Sequence, residues 1–428
     1  MKTIFNAVVL VFLLGSCTSK TARITSHSDY NQYLIIKDNQ SAAFAQREID
    51  FWQAKYDKAP NQTSYLSQLA THYAKLFECT GQVKYLYKVE ALLLQANKEY
   101  HEEAVGPLRS LGRNYISQHR FKEALVLANK ALAIGEGIKE TQKLLFDVNM
   151  ELGNYKQAEH NLICITAKDD FDYLIRISKW NDHLGDLKMA ITFMEKAKKV
   201  AEINDNKSLK IWTYSNLGDL NGHAGNMQAS YHYYLKTLAV DPNNSYGLKG
   251  IAWIVFSHEK DTKEATRIID IIAEKHQSPD FYLLKAQMAA FANNKIVQEA
   301  NESAYFKMLH TIHYGAMYNK YNALIYADDK NTAHQALEIA KVEIDHRPTP
   351  DSYDLMAWAY YNLGEYKKAL DIEQKYVVGQ SFEPKLQFHL ATIYKANNMM
   401  DKVAPLKEEL LKSSFELGPN LEKKIRQL

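Results

Sequence analysis

Residues 211–244 read IWTYSNLGDLNGHAGNMQASYHYYLKTLAVDPNN. Leu217 and Gly218 stand at positions seven and eight of this stretch, Gly225 at fifteen, Ser230 at twenty, Tyr234 at twenty-four and Pro242 at thirty-two. Gly225-Asn226 marks a turn, because glycine and asparagine take left-handed backbone at little cost. Counting on by 34 residues starts further units at Ser245 and Pro279. Val105 and Lys139 are spaced alike, as are Pro350 and Pro384, and starts near Thr63, Phe171 and Met317 complete about ten units between residues 63 and 412. A period of this length belongs to stacked supersecondary units rather than to one globular core.

The small residues carry the physical argument. Position eight holds Ala70, Gly112, Ser178, Gly218, Ala252, Ala286, Ala357 and Ala391; position twenty holds Ala124, Ala158, Ala190, Ser230, Ala336 and Ala369. Helices crossing at these points approach closely, and a large side chain there would add about 1–3 kcal/mol of overpacking strain. Phe146 and Leu324 break the rule at position eight, Ala265 arrives one residue late, and no clean second-helix register is found around Ala300. Phe121, Leu125, Ala128 and Leu132 share one helical face, as do Tyr155, Ala158, Leu162 and Ile165, while no segment alternates like a half-buried strand. The expected class is all-α.

The pattern resembles the tetratricopeptide repeat (TPR), which implies an α-solenoid: antiparallel helix pairs wound into an open right-handed superhelix. Solenoid ends need covers. Residues 30–62, with Phe44, Ile49, Phe51 and Trp52, read as an N-terminal capping helix, and residues 413–428 as a C-terminal one. In the latter, Gly418-Pro419 breaks the helix; Leu421, Ile425 and Leu428 then form a stripe, with Glu422, Lys423, Lys424 and Arg426 toward water.

In TPR proteins helix A lines a concave groove with positions two, five, nine and twelve. By that resemblance the groove here receives Arg109, Arg113 and Lys143, then Trp212, Tyr246, Trp253, Phe256, Tyr318, Tyr321, Trp358 and Tyr361, the alternative for the aromatics being packing between neighbouring A helices where the superhelix curves tightly. Arginine and large aromatics carry much of the energy at protein interfaces, so the expected partner is a protein or peptide. The set that grips a chaperone's terminal carboxylate in that family is not met, since only Arg109 and Arg176 match it.

The first residues tell a separate story. Lys2 precedes a short apolar core, Val8–Leu14, which suits a secretory signal and is too short to span a bilayer. It ends in Leu14-Gly15-Ser16-Cys17, which resembles the lipobox of bacterial lipoproteins. The resemblance implies removal of residues 1–16, acylation of Cys17 and a tether over residues 17–29. Thr18 after the cysteine implies an outer-membrane anchor, with the periplasmic face favoured because no acidic residue precedes Asp29.

With 52 Lys plus Arg against 50 Asp plus Glu, the chain has no overall basic field to hold nucleic acid. Cys79 and Cys164 fall in different repeats, too far apart for a bridge, and read as free thiols filling apolar space. No nucleophile motif, phosphate-cradling loop or calcium loop appears, and His310 with His313 lacks a third ligand for a metal. The reading is therefore a non-enzymatic envelope scaffold without cofactor or metal. The alternative is a lipoprotein that binds a glycan or small ligand.

Overall fold

The computed structural model describes residues 22–36 and 38–428. The signal segment, Cys17 and the start of the tether lie outside the described residues. Among the described residues two helices precede the repeats, α1 (His27–Leu34) and α2 (Gln40–Lys58). Ten antiparallel pairs follow. The first five are α3 (Ser64–Thr80) with α4 (Lys84–Glu99), α5 (Val105–Ser117) with α6 (Phe121–Ile134), α7 (Ile138–Glu151) with α8 (Tyr155–Cys164), α9 (Phe171–His183) with α10 (Leu187–Ile203), and α11 (Lys207–His223) with α12 (Met227–Val240). The next three are α13 (Ser245–Ser257) with α14 (Thr262–Ala273), α15 (Asp280–Phe291) with α16 (Lys295–Thr311), and α17 (Asn319–Ala327) with α18 (Ala333–His346). The last two are α19 (Pro350–Asn362) with α20 (Tyr366–Tyr376) and α21 (Pro384–Ala396) with α22 (Met400–Lys412), before a final α23 (Ser414–Arg426). Among the described residues there is no strand, and from α2 onward helices pack on their neighbours in sequence: the molecule is a TPR-like α-solenoid.

Local chemistry explains the beat. Asp170, Asn206, Asn244 and Asp261 each accept a hydrogen bond from the N–H three residues on, satisfying an orphan donor at the start of the next helix. In seven repeats position fifteen, the turn inside the pair, is left-handed whether or not it is glycine: His119, Gly153, Gly185, Gly225, Asn293, Gly364 and Asn398 all have φ between 56° and 84°. In repeat six the left-handed residue is Lys260, one position late. That extra residue is why Ala265 misses its register.

Position-twenty residues Ala124, Ala158, Ala190, Ser230, Ala336 and Ala369 are each fully buried. Ser178 at position eight donates to the Ala190 carbonyl at position twenty, 2.7 Å away, which shows how close the paired helices come. A Cβ added to Gly112 would stand 3.0 Å from Leu144 and 3.7 Å from the Ala124 carbonyl. Phe146, the exception, is fully buried against Met150, Ala158 and Leu162. Around Ala300 a regular helix, α16, forms although only Tyr305 along it is buried. Cys79 and Cys164 are free; Cys164 is exposed and so fills no apolar space, contrary to the expectation.

The coil is closed rather than open. The turn of repeat one lies on the loop between repeats six and seven, with Gln277 N–H donating to the Thr80 carbonyl at 2.7 Å. Gly81 is needed there, since a Cβ would run into the Gln277 carbonyl. Repeat three meets the loop before repeat nine through Glu151 and Arg347 (3.3 Å) and through Gly153 against Pro348. Gly185 of repeat four rests on Phe382, before repeat ten. One turn of the solenoid therefore stacks on the next.

Both ends depart from the expected caps. Residues 40–58 do cover the first repeat, since Ala45 and Ile49 of α2 pack with Leu66 and Leu69 of α3. Residues 27–34 do not join them. Helix α1 docks over 200 residues away in sequence, on α12 and α14, where Tyr30 is fully buried and donates to Glu264 at 2.8 Å. Helix α23 packs on the last repeat, where Ile425 joins Phe388, Ala391 and Leu410, and it also turns into the concave interior.

Candidate partner groove

The A helices, α3 to α21 in odd numbers, form the inner wall. Helix α23 crosses it, touching α11, α13, α15 and α21. Phe415 leads the way in. Its carbonyl accepts from Trp253 Nε1 (3.1 Å) and Ser257 Oγ, and its ring sits where a Cβ on Gly222 would come within 2.8 Å. Gly418 (φ 78°) then kinks the helix, and only glycine fits, because a Cβ would stand 2.9 Å from the Trp253 ring. Beyond the kink, Asn420 donates to the Gln287 carbonyl (2.8 Å), Glu422 pairs with Lys260 (3.0 Å) and Lys423 lies 4.2 Å over Phe291. Glu422 thus faces the opposite wall rather than open water. Ile425 is fully buried, with Leu421 and Leu428 packed beside the same cluster.

The tail leaves space on both sides. One cavity of about 440 Å³ is bounded by Asp219, Tyr246, Lys249, Trp253, Tyr321 and Glu416. Another of about 510 Å³ is walled by Phe256, Gln287, Tyr321, Trp358, Lys385 and Pro419. In the first, Asp219 accepts from the Tyr234 and Tyr246 hydroxyls, both at 2.6 Å. Burial nevertheless raises its pKa above the usual carboxylate range. Near the entry of the tail the carboxylates are crowded. Enclosure by the channel walls, then Asp351, Glu416 and Asp182, push Glu383 up to about 7, and burial likewise raises Glu416.

The residues expected to line the groove separate into three groups. Trp212, Tyr246 and Tyr321 are 39%, 46% and 43% exposed, and Tyr318 and Tyr361 are half-buried. Trp253 is covered by the tail. Phe256 is fully buried in the core, and Trp358, at 7% exposure, is sandwiched between His389 (3.9 Å) and Tyr361 (4.9 Å). Phe256 and Trp358 pack between neighbouring A helices, which the tight curvature presses together, and meet the channel only at the wall of the larger cavity.

Of the expected basic stretch, only Lys143 is neutralised by a carboxylate. Arg109 donates to the Gly137 carbonyl and Thr141 of the next repeat. Lys143, 7% exposed, is paired with Asp172 at 2.7 Å, and Arg176 pairs with Asp147 at 2.6 Å. Arg113 alone of the three stays exposed, and crowding by the channel walls lowers its guanidinium pKa.

Sequence reading missed the polar core under Trp358. His389 Nδ1 lies 2.9 Å from Asp354, and Glu373 is buried beside them. Burial and then the Asp354 charge raise the Glu373 pKa, so Glu373 holds its proton at neutral pH. His389 is kept below its ordinary value by burial, despite Asp354. The signal was a His and two acids inside otherwise apolar helical faces. Among the described residues no group of three His, Cys, Asp or Glu side chains is placed to hold a metal, and the His313 ring stacks on Tyr87 at 5.9 Å.

Neither a known family model nor a curated protein sequence matches the chain. Solved structures do. A TPR protein from Parabacteroides merdae is similar over 57% of this chain and 93% of its own, at 15% identity and a TM-score of 0.40. PilF of Pseudomonas aeruginosa matches over 49% and 92%, at 16% and 0.37. Yeast Tom70 matches over 94% of both chains, at 14% and 0.36. With superpositions this loose, the assignment of the fold rests on the helix pairing described above.

Proposed function

We propose that this chain is a lipid-anchored adaptor of the bacterial envelope whose concave channel takes a segment of a partner protein in the place held by its own C-terminal helix. One observation carries the reading: the channel already accommodates a helix, seated by an aromatic residue against Trp253 and flanked by unfilled space. An amphipathic helix laid in an apolar groove is a recurrent mode of recognition. The acyl anchor at Cys17 restricts the groove to partners on one membrane, which raises their effective concentration.

A chain truncated after Lys412 is expected to bind a synthetic peptide of residues 413–428, while the intact chain does not. A folded truncation that ignores the peptide would defeat the groove reading. For the anchor, Cys17→Ser is expected to move the protein from the membrane to the soluble fraction; retention in membranes would refute lipidation.

A second reading, binding of a glycan or small polar ligand, is favoured by the cavity at Asp219, whose volume and mixed aromatic and carboxylate walls suit such a ligand. It predicts that oligosaccharide raises the melting temperature of the intact chain and that Tyr246→Ala abolishes the rise. The adaptor reading predicts no rise.

A further inference from the structure

The N-terminal segment is fastened before α1 begins. The N–H groups of Ile24 and Thr25 donate to Glu259 Oε1 at 2.9 and 2.7 Å, and Thr25 Oγ1 donates to Oε2 at 3.0 Å. Ser26 N–H donates to the Tyr231 hydroxyl at 3.1 Å, and Arg23 pairs with the same Glu259 at 3.4 Å. Glu259 stands in the turn of repeat six, in the stretch lengthened by one residue. From there α1 climbs the convex face, until Lys275 at the far end of α14 donates to the Ile36 carbonyl.

This attachment fixes where the preceding chain can reach. Cys17 lies seven residues before Ile24, a span of at most about 25 Å. A 13-residue helix such as α13 is about 20 Å long, so two stacked turns of the solenoid stand about 40 Å tall. The far rim, formed by the loops between early repeats such as the one after Ile203, is out of reach. The near rim is not. The turns of repeats one, three and four are covered by the next turn of the solenoid, but among the described residues no further turn covers repeats six to ten. The turns of repeats seven, nine and ten carry apolar side chains outward: Ile296 (81% exposed), Val297 (44%), Leu363 (39%), Tyr366 (44%) and Met400 (51%). Phe291, at the end of α15, packs on Phe256 at 5.9 Å, so the turn bearing Ile296 stands beside the one that holds the N-terminus.

We infer that the rim formed by the helix-turn tips of repeats six to ten rests on a phospholipid surface, with the axis of the solenoid upright on the membrane and the channel opening toward it. The inference rests on the anchor at Cys17. Apolar and tyrosine tips beside Lys295 and Lys263 suit the headgroup layer, where side chains with an apolar body and a polar end settle.

The test couples Cys17 of chain 17–428, carrying Cys79→Ser and Cys164→Ser, to maleimide phospholipid in phosphatidylethanolamine–phosphatidylglycerol vesicles. Hydrogen exchange is then compared with that of the uncoupled protein. Amides at 295–297, 363–366 and 398–401 are expected to slow by about tenfold, while 203–206 stay unchanged. Ile296→Asp with Met400→Asp is expected to remove the protection without changing helicity by circular dichroism. Unchanged exchange at the rim, or protection at 203–206 or along the outer faces of α12 and α14, would overturn it. Because the coupling is chemical, a failure of lipidation in cells is scored separately by the Cys17→Ser fractionation.

Discussion

Helices α1 and α23 invite comparison. Each lies outside the repeats, and each joins parts of the chain far apart in sequence. Helix α1 sits on the convex face with Tyr30 fully buried, and the segment before it is bonded through its main chain to a carboxylate. Helix α23 sits on the concave face, seated by Phe415, kinked at Gly418 and bordered by cavities of about 440 and 510 Å³. A sealed contact loses packing and hydrogen bonds together when broken. One bordered by open space loses less, because water replaces part of what is removed. The outer helix is built as a strap and the inner one as an occupant.

The contrast can be broken most sharply at Tyr30. Tyr30→Ala removes a fully buried ring and one of the donors to Glu264, which keeps Arg267, so a loss of about 3–5 kcal/mol in urea unfolding is expected. A loss below about 1 kcal/mol would mean that α1 is no better fixed than α23. Gly418→Ala should act on the tail alone, costing about 1–3 kcal/mol through positive φ and the clash with Trp253. The check is peptide access to the channel, which should rise while the helicity of the repeats is kept. Glu259→Gln retains size but lowers the strength of the bonds to Ile24 and Thr25; about 1–2 kcal/mol, seen as faster exchange of those two amides, is expected.

The smallest effect is a pH dependence of the tail. Glu383 and Glu416 have raised pKa values with the tail in place, so the docked state binds protons more tightly than the released one. Glu416 leaves with the tail, so docking is favoured at acidic pH and weakens as Glu383 ionises around pH 7. Trp253 emission should shift red across that window, and Glu383→Gln should flatten the shift. An unchanged profile in the variant would remove Glu383 from the account.

Much of the solenoid was legible because its information is local. The small residues at positions eight and twenty and the turn residue at fifteen each act within one helix pair, and even the irregular repeat six announced itself through the late Ala265. The groove was legible only in part. Helix-A positions facing inward identified Trp212, Tyr246 and Tyr321, but not which of the aromatics curvature would bury, Phe256 and Trp358, or that Lys143 would meet Asp172.

The sequence by itself determined that helices pair, how many pairs there are and where each one turns, since these follow from close contacts repeated at a fixed interval. Only the tertiary structure decided that successive turns of the solenoid stack, that residues 24–34 strap the sixth repeat and that the last helix enters the channel. Those contacts join residues 150–240 positions apart, such as Ile24 with Glu259 and Trp253 with Phe415, and involve single side chains that no periodicity marks. A contact made once leaves no pattern in the chain; it exists only after the repeats have wound and brought its two halves together.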